Sequence, residues 1–327
     1  MSATIAASTV LATLGACKVY WSLTAQRGRT LPSLKAVAHT ATSSAYPEDY
    51  YSGGQYVELS HGETHYFLFG PEDGKKIVFV HGFSVPASVY SSVARQMANN
   101  GCRVLLYDLY SRGYTEGPSE DHNSQLYVAQ LRELLLHVGW TKCNFGGGIV
   151  ACYSHQFPEA VQSLTFISPG GLLLHSQIPL VGKIFLTPLT EEIFSQKLFK
   201  KIFATKNIES MRKEFKHEAS VPEVVEEAAK ILALQYSHHA GYARGLMSTL
   251  RTFPLAGLGP QFETSQQQSY PVQVIWGTRD TVIPRTTIDT IQQLIPRIKV
   301  TIVEGATHSI VMTHPAPIVE QLESFVC

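Results

Sequence analysis

Acidic residues are missing from the first 47 positions. Glu48 is the first Asp or Glu, whereas Lys18, Arg27, Arg29 and Lys35 precede it amid many Ala, Ser and Thr. Ser2 to Cys17 is uncharged and mildly apolar, and Val19-Tyr20-Trp21 follows Lys18. No basic residue precedes the apolar run, which argues against a secretory signal. The run is also short and Ala/Thr-rich beside the ~20 apolar residues that span a bilayer. Three readings remain for residues 1–47. One is a weak membrane anchor over residues 2–23, with Trp21 and Arg27 at the interface. Another is an organellar, for instance mitochondrial, transit peptide, typically basic and poor in acids. The third is a disordered leader on a cytoplasmic protein.

Other absences narrow the function. Lys and Arg total 26 and Asp and Glu total 26, so no basic excess argues for a nucleic-acid partner. The five cysteines (Cys17, Cys102, Cys143, Cys152, Cys327) form no C-x-x-C pair and read as thiols of a reducing compartment. There is no H-E-x-x-H, and the adjacent His238-His239 lacks ligand spacing, so no metal is expected.

The body carries alternating strand and helix signals. Tyr56–Leu59 and Tyr66–Phe69 flank His61-Gly62 as a hairpin would. Ile77–Val80, Val104–Tyr107, Leu164–Ile167, Val272–Trp276 and Val300–Val303 are continuous apolar runs, as expected of strands buried on both faces. Leu131/Leu134/Leu135/Val138, Ile288/Ile291/Ile295 and Ile318/Leu322/Phe325 repeat at helical spacing. This order predicts an α/β fold, a mostly parallel sheet flanked by helices. From Leu172 to Phe262 the alternation stops, and Glu191–Phe203 and Val221–Leu234 look helical. A helical insertion there would cap the carboxyl ends of the strands, where open α/β sheets bind ligands. The expected division is a leader over 1–47, a core over 48–171 and 263–327, and a cap over 172–262.

Four segments at strand ends carry the chemistry. His81-Gly82-Phe83-Ser84 follows the strand ending at Val80, and Asp108-Leu109-Tyr110-Ser111-Arg112-Gly113 follows Tyr107. Trp276-Gly277-Thr278-Arg279-Asp280 runs on to Pro284, and Gly305-Ala306-Thr307-His308 follows the strand ending at Val303. Together these resemble the α/β-hydrolase superfamily, of capped lipase and esterase type, monoacylglycerol-lipase-like. The resemblance covers Gln55 to the carboxyl terminus. It implies that the Phe83 N–H serves an oxyanion hole. It also implies that Asp280 orients His308 as general base, and that the Asp108 loop is structural, with Ser111 where glycine is usual. The implied substrate is a small apolar ester or acyl compound, and no cofactor is implied.

The resemblance fails at one turn. Lys142-Cys143-Asn144-Phe145-Gly146-Gly147-Gly148-Ile149-Val150-Ala151 joins a strand directly to a helix, where the family places G-x-S-x-G. Gly146, Gly147 and Gly148 read as the remnant of that elbow. A segment of roughly five residues, Val-Gly-x-Ser-x, is absent between Phe145 and Gly146. A serine hydrolase that has lost its activity, keeping a pocket as a non-catalytic binding protein, would read this way. So would a splice form or a mis-set exon junction, which the intact Asp and His motifs favour. Cys143, Ser154, Ser84 and Ser309 are poor substitutes, because a nucleophile must lie within ~3 Å of its base. Gly146–Ala151 also fits G-x-G-x-x-A, the dinucleotide fingerprint, but no acid for a ribose follows Leu164–Ile167.

Overall fold

The computed structural model of the chain describes residues 30–147, 149–173, 196–215 and 222–326. Its centre is an eight-stranded sheet in the order β10-β9-β8-β7-β4-β5-β3-β2. The antiparallel edge hairpin is β2 (Gly54–Leu59) and β3 (Gly62–Phe69), and β3 also runs antiparallel to β5 (Cys102–Tyr107). All other neighbours are parallel: β4 (Lys75–Val80), β7 (Cys143–Gly147), β8 (Val161–Ile167), β9 (Val272–Gly277) and β10 (Lys299–Val303). The apolar runs form strands because successive side chains alternate between two covered faces. In β4, Val78 and Val80 enter one core cluster, while Ile77 and Phe79 enter the other.

The first cluster joins the sheet to α2 (Ser124–His137), α3 (Val150–Gln156), α7 (Gly259–Gln266) and α8 (Arg285–Leu294), through residues such as Leu131, Leu134, Ala151, Phe262 and Ile288. The second joins it to α1 (Ser91–Asn99) and α9 (Pro315–Val326) through Val93, Met97, Ile318 and Leu322. The strand order reverses beside β4, which lies between β5 and β7. That switch point opens a crevice at the carboxyl ends of the strands.

Between β8 and β9 the described residues are helical: α4 (Lys197–Glu214), α5 (Pro222–His238), α6 (Tyr242–Thr252) and α7. The helix expected over Glu191–Phe203 falls partly outside the described residues, and the described helix starts at Lys197. The one expected from Val221 runs from Pro222 to His238, four residues beyond Leu234. Phe262 of α7 packs against Phe166 of β8, with ring centroids 4.8 Å apart, so the sheet-covering layer has resumed before the expected cap boundary.

Composition placed residues 1–47 in one leader segment. Residues 2–23, read as a membrane or organelle signal, lie outside the described residues. Residues 30–46, by contrast, belong to the body. β1 (Thr30–Leu31) pairs antiparallel with β6 (Gly117–Pro118). Leu34 and Tyr46 are fully buried, and the Tyr46 hydroxyl donates to Asp108 Oδ1 at 2.9 Å. The polar, Ser/Thr-rich composition concealed this strap, whose few apolar anchors have no helical or strand period.

Candidate active site

Asp280 and His308 come from adjacent parallel strands. Asp280 lies three residues beyond the end of β9 and His308 five beyond the end of β10. The backbone stitches their loops together. Arg279 N–H donates to Ala306 O at 2.9 Å, and Gly305 N–H donates to Thr278 Oγ1 at 2.9 Å. A side chain at Gly277 would meet Ala306 O at 2.2 Å, so only glycine permits this approach. Asp280 Oδ1 accepts from the N–H groups of Val282 and Ile283 at 2.9 and 2.8 Å, an Asx turn held further by Trp276 Nε1–H donating to Ile283 O. The other oxygen, Oδ2, accepts from His308 Nδ1–H at 3.1 Å. That tautomer leaves Nε2 as the basic nitrogen. The Asp280 side chain is fully buried, whereas His308 is 37% exposed. A buried, hydrogen-bonded carboxylate behind a half-exposed imidazole is an arrangement that can fix the tautomer and orientation of a base.

Phe83 sits on the loop after β4, and no described residue accepts from its N–H. Donors from three elements fix the loop's carbonyls. The buried Arg112 guanidinium donates from Nε to Phe83 O at 3.0 Å. Gln235 Nε2 of α5 and the Tyr242 hydroxyl of α6 both donate to Ser84 O, at 3.1 and 2.9 Å. Arg112 also reaches Tyr110 O, Tyr127 Oη and Thr249 Oγ1. It therefore links the Asp108 loop and helix α6 to the Phe83 loop, a wider role than organising its own turn. No sequence signal announces Gln235 or Tyr242, since each is one polar residue on a helix.

Ser111, at the position where glycine is usual, adopts φ 66°. It holds this left-handed conformation among glycines. A side chain at Gly117 would meet Ser111 Oγ at 2.7 Å, and one at Gly245 would meet Ser111 Cβ at 2.3 Å. Its hydroxyl pairs with His122 Nε2 at 2.8 Å.

Of the three glycines expected to be the remnant of an elbow, Gly146 and Gly147 end β7. Gly146 and Gly147 lie opposite Phe79 and Val80 of β4, and Gly148 lies outside the described residues. Gly147 has φ 140°, and a side chain there would strike Val80 O at 2.1 Å. α3 begins at Val150, and no serine or cysteine stands between the end of β7 and that helix. Of the substitutes, Cys143 is buried in β7, and burial pushes its thiol far above the ordinary range. Ser154 is buried on α3 with its hydroxyl donating to Ala151 O. Ser309 donates to Glu214 Oε1 of the cap at 3.5 Å. Ser168, which the sequence does not single out, follows β8 with φ 42° and a buried hydroxyl that lacks a partner.

Three histidines around this site are buried and neutral, and their hydrogen bonds say why. His81 Nε2 accepts from Leu109 N–H, so Nδ1–H faces Gly82 O. His239 Nδ1 accepts from Gly241 N–H, so Nε2–H donates to Thr115 O. His122 Nδ1 faces Glu120 O, which leaves Nε2 to accept from Ser111. A second proton on His81 or His239 would oppose a backbone N–H. Burial pushes His81 and His239 down to about 4 and His122 well below its usual value. The unfolded chain binds these protons near pH 6.5 and the folded chain only below about 4. Stability is therefore lost as pH falls through that window, by about 3 kcal/mol each for His81 and His239. Urea unfolding at pH 7 and pH 5 should show the lower midpoint at pH 5, and His239→Gln should flatten the slope. An unchanged midpoint would rule out buried neutral histidines.

A mostly parallel sheet with antiparallel edge, an acid after one strand and a histidine after the next define a hydrolase-type α/β architecture. The alpha/beta hydrolase fold family model matches residues 75–315, and the chain belongs to that family. The chain is 25% identical over 279 residues to Lipase 1 of Psychrobacter immobilis, covering 76% of this chain and 74% of that one. It is 23% identical over 288 residues to the monoacylglycerol lipase ABHD6 of Mus musculus, covering 84% and 83%. The carboxylesterase CesB of Bacillus subtilis superposes with a TM-score of 0.69 at 18% identity, covering 89% and 96%.

Proposed function

We propose that the chain carries the site of a serine hydrolase of carboxylic esters with apolar acyl groups, inactive or strongly impaired as written. One observation carries the reading. The Asp280–His308 pair is assembled with its carboxylate fixed by two amides, while the sequence from β7 to the start of α3, where the family places its nucleophile, has no serine, cysteine or aspartate after Cys143. In the full reaction a serine would attack the ester carbonyl as His308 takes its proton and the Phe83 N–H receives the developing oxyanion. Here the base and one oxyanion donor remain, without the attacking atom. The second donor, the N–H after the nucleophile, is lost with it. The lipase and esterase relatives support an ester as the ligand.

The expected result is no fluorophosphonate labelling and little turnover of short-chain p-nitrophenyl esters. Loss of a triad nucleophile lowers the rate roughly 10⁶-fold. Stoichiometric labelling of any serine, Ser168 included, that His308→Ala abolishes would overturn the impaired-enzyme reading and identify a relocated nucleophile. Saturable binding of an apolar ester without turnover would fit a pseudohydrolase that keeps its pocket.

A further inference from the structure

Side chains, not its own backbone, hold the Phe83 loop. Among the described residues, 82–85 make no backbone–backbone hydrogen bond. Three consecutive carbonyls accept from side chains instead. Upstream, His81 Nδ1–H donates to Gly82 O at 2.9 Å, and the Leu109 N–H fixes the ring from its other side. The planar peptide between Gly82 and Phe83 carries the Phe83 N–H opposite that oxygen. Gly82 is a free pivot, since a Cβ there would meet nothing within 4 Å. Downstream, the Ala87 N–H donates to Asp108 Oδ1 and pins the exit. Between these points the direction of the loop depends on what holds Phe83 O and Ser84 O.

Phe83 O is held by Arg112, from the loop after β5. Ser84 O is held from the helical segment between β8 and β9, by Gln235 of α5 and Tyr242 of α6. A carbonyl oxygen has two lone pairs, so two donors fill both and fix the Ser84 peptide in two directions. Gln235 is fully buried on a helix whose other buried residues include Ile231, Leu232 and Leu234. An apolar side chain there would avoid the rotamer entropy and desolvation that ordering a glutamine costs. The amide instead reaches two loops, with Oε1 accepting from Gly113 N–H at 2.9 Å while Nε2 donates to Ser84 O. Gly113 adjoins Arg112, so one side chain ties the Phe83 loop to the turn that supplies its other donor. Tyr242 keeps its ring in the apolar cluster with Tyr236 and Leu246 and turns its hydroxyl to the loop.

We propose that Gln235 and Tyr242 are positioning residues that hold the Phe83 N–H in its donor direction, so that the donor points into the site only while α5 and α6 are seated on the loop. Both act on the site through the Ser84 carbonyl. This rests on the oxyanion role proposed above for the Phe83 N–H. The mobility of that N–H is measurable in the chain as it stands, without turnover, so either result can fail while the other holds.

The test is 15N relaxation of the full chain labelled with [15N]phenylalanine, the Phe83 signal being the one lost in Phe83→Leu. In the wild type the Phe83 amide should be as rigid as the sheet, with an order parameter of about 0.85. Tyr242→Phe removes one hydroxyl and keeps the packed ring, and should lower the value to about 0.7. Gln235→Met should take it below about 0.6. Gln273→Met controls for mere destabilisation. It removes a fully buried glutamine near the amino end of β9, whereas Phe83 follows the carboxyl end of β4, and should leave Phe83 unchanged. With Val-Gly-x-Ser-x inserted between Phe145 and Gly146, Tyr242→Phe should lower kcat for p-nitrophenyl butyrate about tenfold and leave KM within about twofold. An unchanged Phe83 value in Tyr242→Phe overturns the proposal, whether or not Gln235→Met folds. So does an amide that Gln273→Met loosens equally. A loosened amide with unchanged kcat supports the positioning role and overturns the oxyanion role of Phe83 instead.

Discussion

Inserting Val-Gly-x-Ser-x between Phe145 and Gly146 is expected to restore ester hydrolysis by several orders of magnitude, up to the roughly 10⁶-fold that a triad nucleophile supplies. The sheet register explains why five residues fit. Gly146 and Gly147 now occupy the strand positions opposite Phe79 and Val80. After insertion the new valine and glycine take those positions. The three native glycines move past the turn to start the helix close to the sheet. The second position tolerates no side chain, because one would lie 2.1 Å from Val80 O, and the inserted glycine meets that requirement. At the first, a Cβ would stand 3.0 Å from the Phe79 ring, a contact that a small ring shift relieves.

The same geometry predicts that Gly147→Ser will not rescue activity, since its side chain has no room and the backbone stays at φ 140°. In the insertion variant His308→Ala or Asp280→Asn should remove the activity again. p-Nitrophenyl butyrate turnover and fluorophosphonate labelling measure each step. A folded insertion variant that stays inert would show that the Asp280–His308 pair and the Phe83 loop no longer form a working site.

Much of this arrangement was legible in the chain. The apolar runs identified the strands because both sheet faces are buried, and burial on both faces leaves few polar residues to interrupt them. Asp280 and His308 stood out because each follows a strand within a recognisable loop. Three features were not legible. The Gln235 and Tyr242 donors to the Phe83–Ser84 loop are isolated polar residues, and only the fold brings them to Ser84. The left-handed backbone at Ser168 has no sequence mark, since serine carries none of glycine's preference for it. The strap over residues 30–46 lacks periodicity, because it is anchored at single points by Leu34 and Tyr46.

That strap yields the second large effect. Removing residues 1–29 keeps every contact of residues 30–46 described above, so that truncation is the reference. Removing residues 1–47, the division that composition suggested, should cost more than about 4 kcal/mol or abolish soluble expression. The longer deletion takes away two fully buried side chains, Leu34 and Tyr46. It also removes the β1–β6 pairing, the Leu34 N–H bond to Gly113 O and the Ala240 N–H bond to Pro32 O. Most costly, it strips a phenol donor from Asp108, a fully buried carboxylate. Burial alone would push Asp108 up, but the neighbouring His65 and the Ala87 amide hold it below the usual carboxylate range. The Tyr46 ring also covers Tyr114, with centroids 5.5 Å apart, and Tyr114 N–H donates to Asp108 Oδ2. Opening this corner would admit water to the loop that carries Arg112, and through Arg112 to the Phe83 carbonyl. Urea unfolding of the two truncations against the full chain measures the difference. Equal midpoints for both would show that the strap rests on the body without stabilising it.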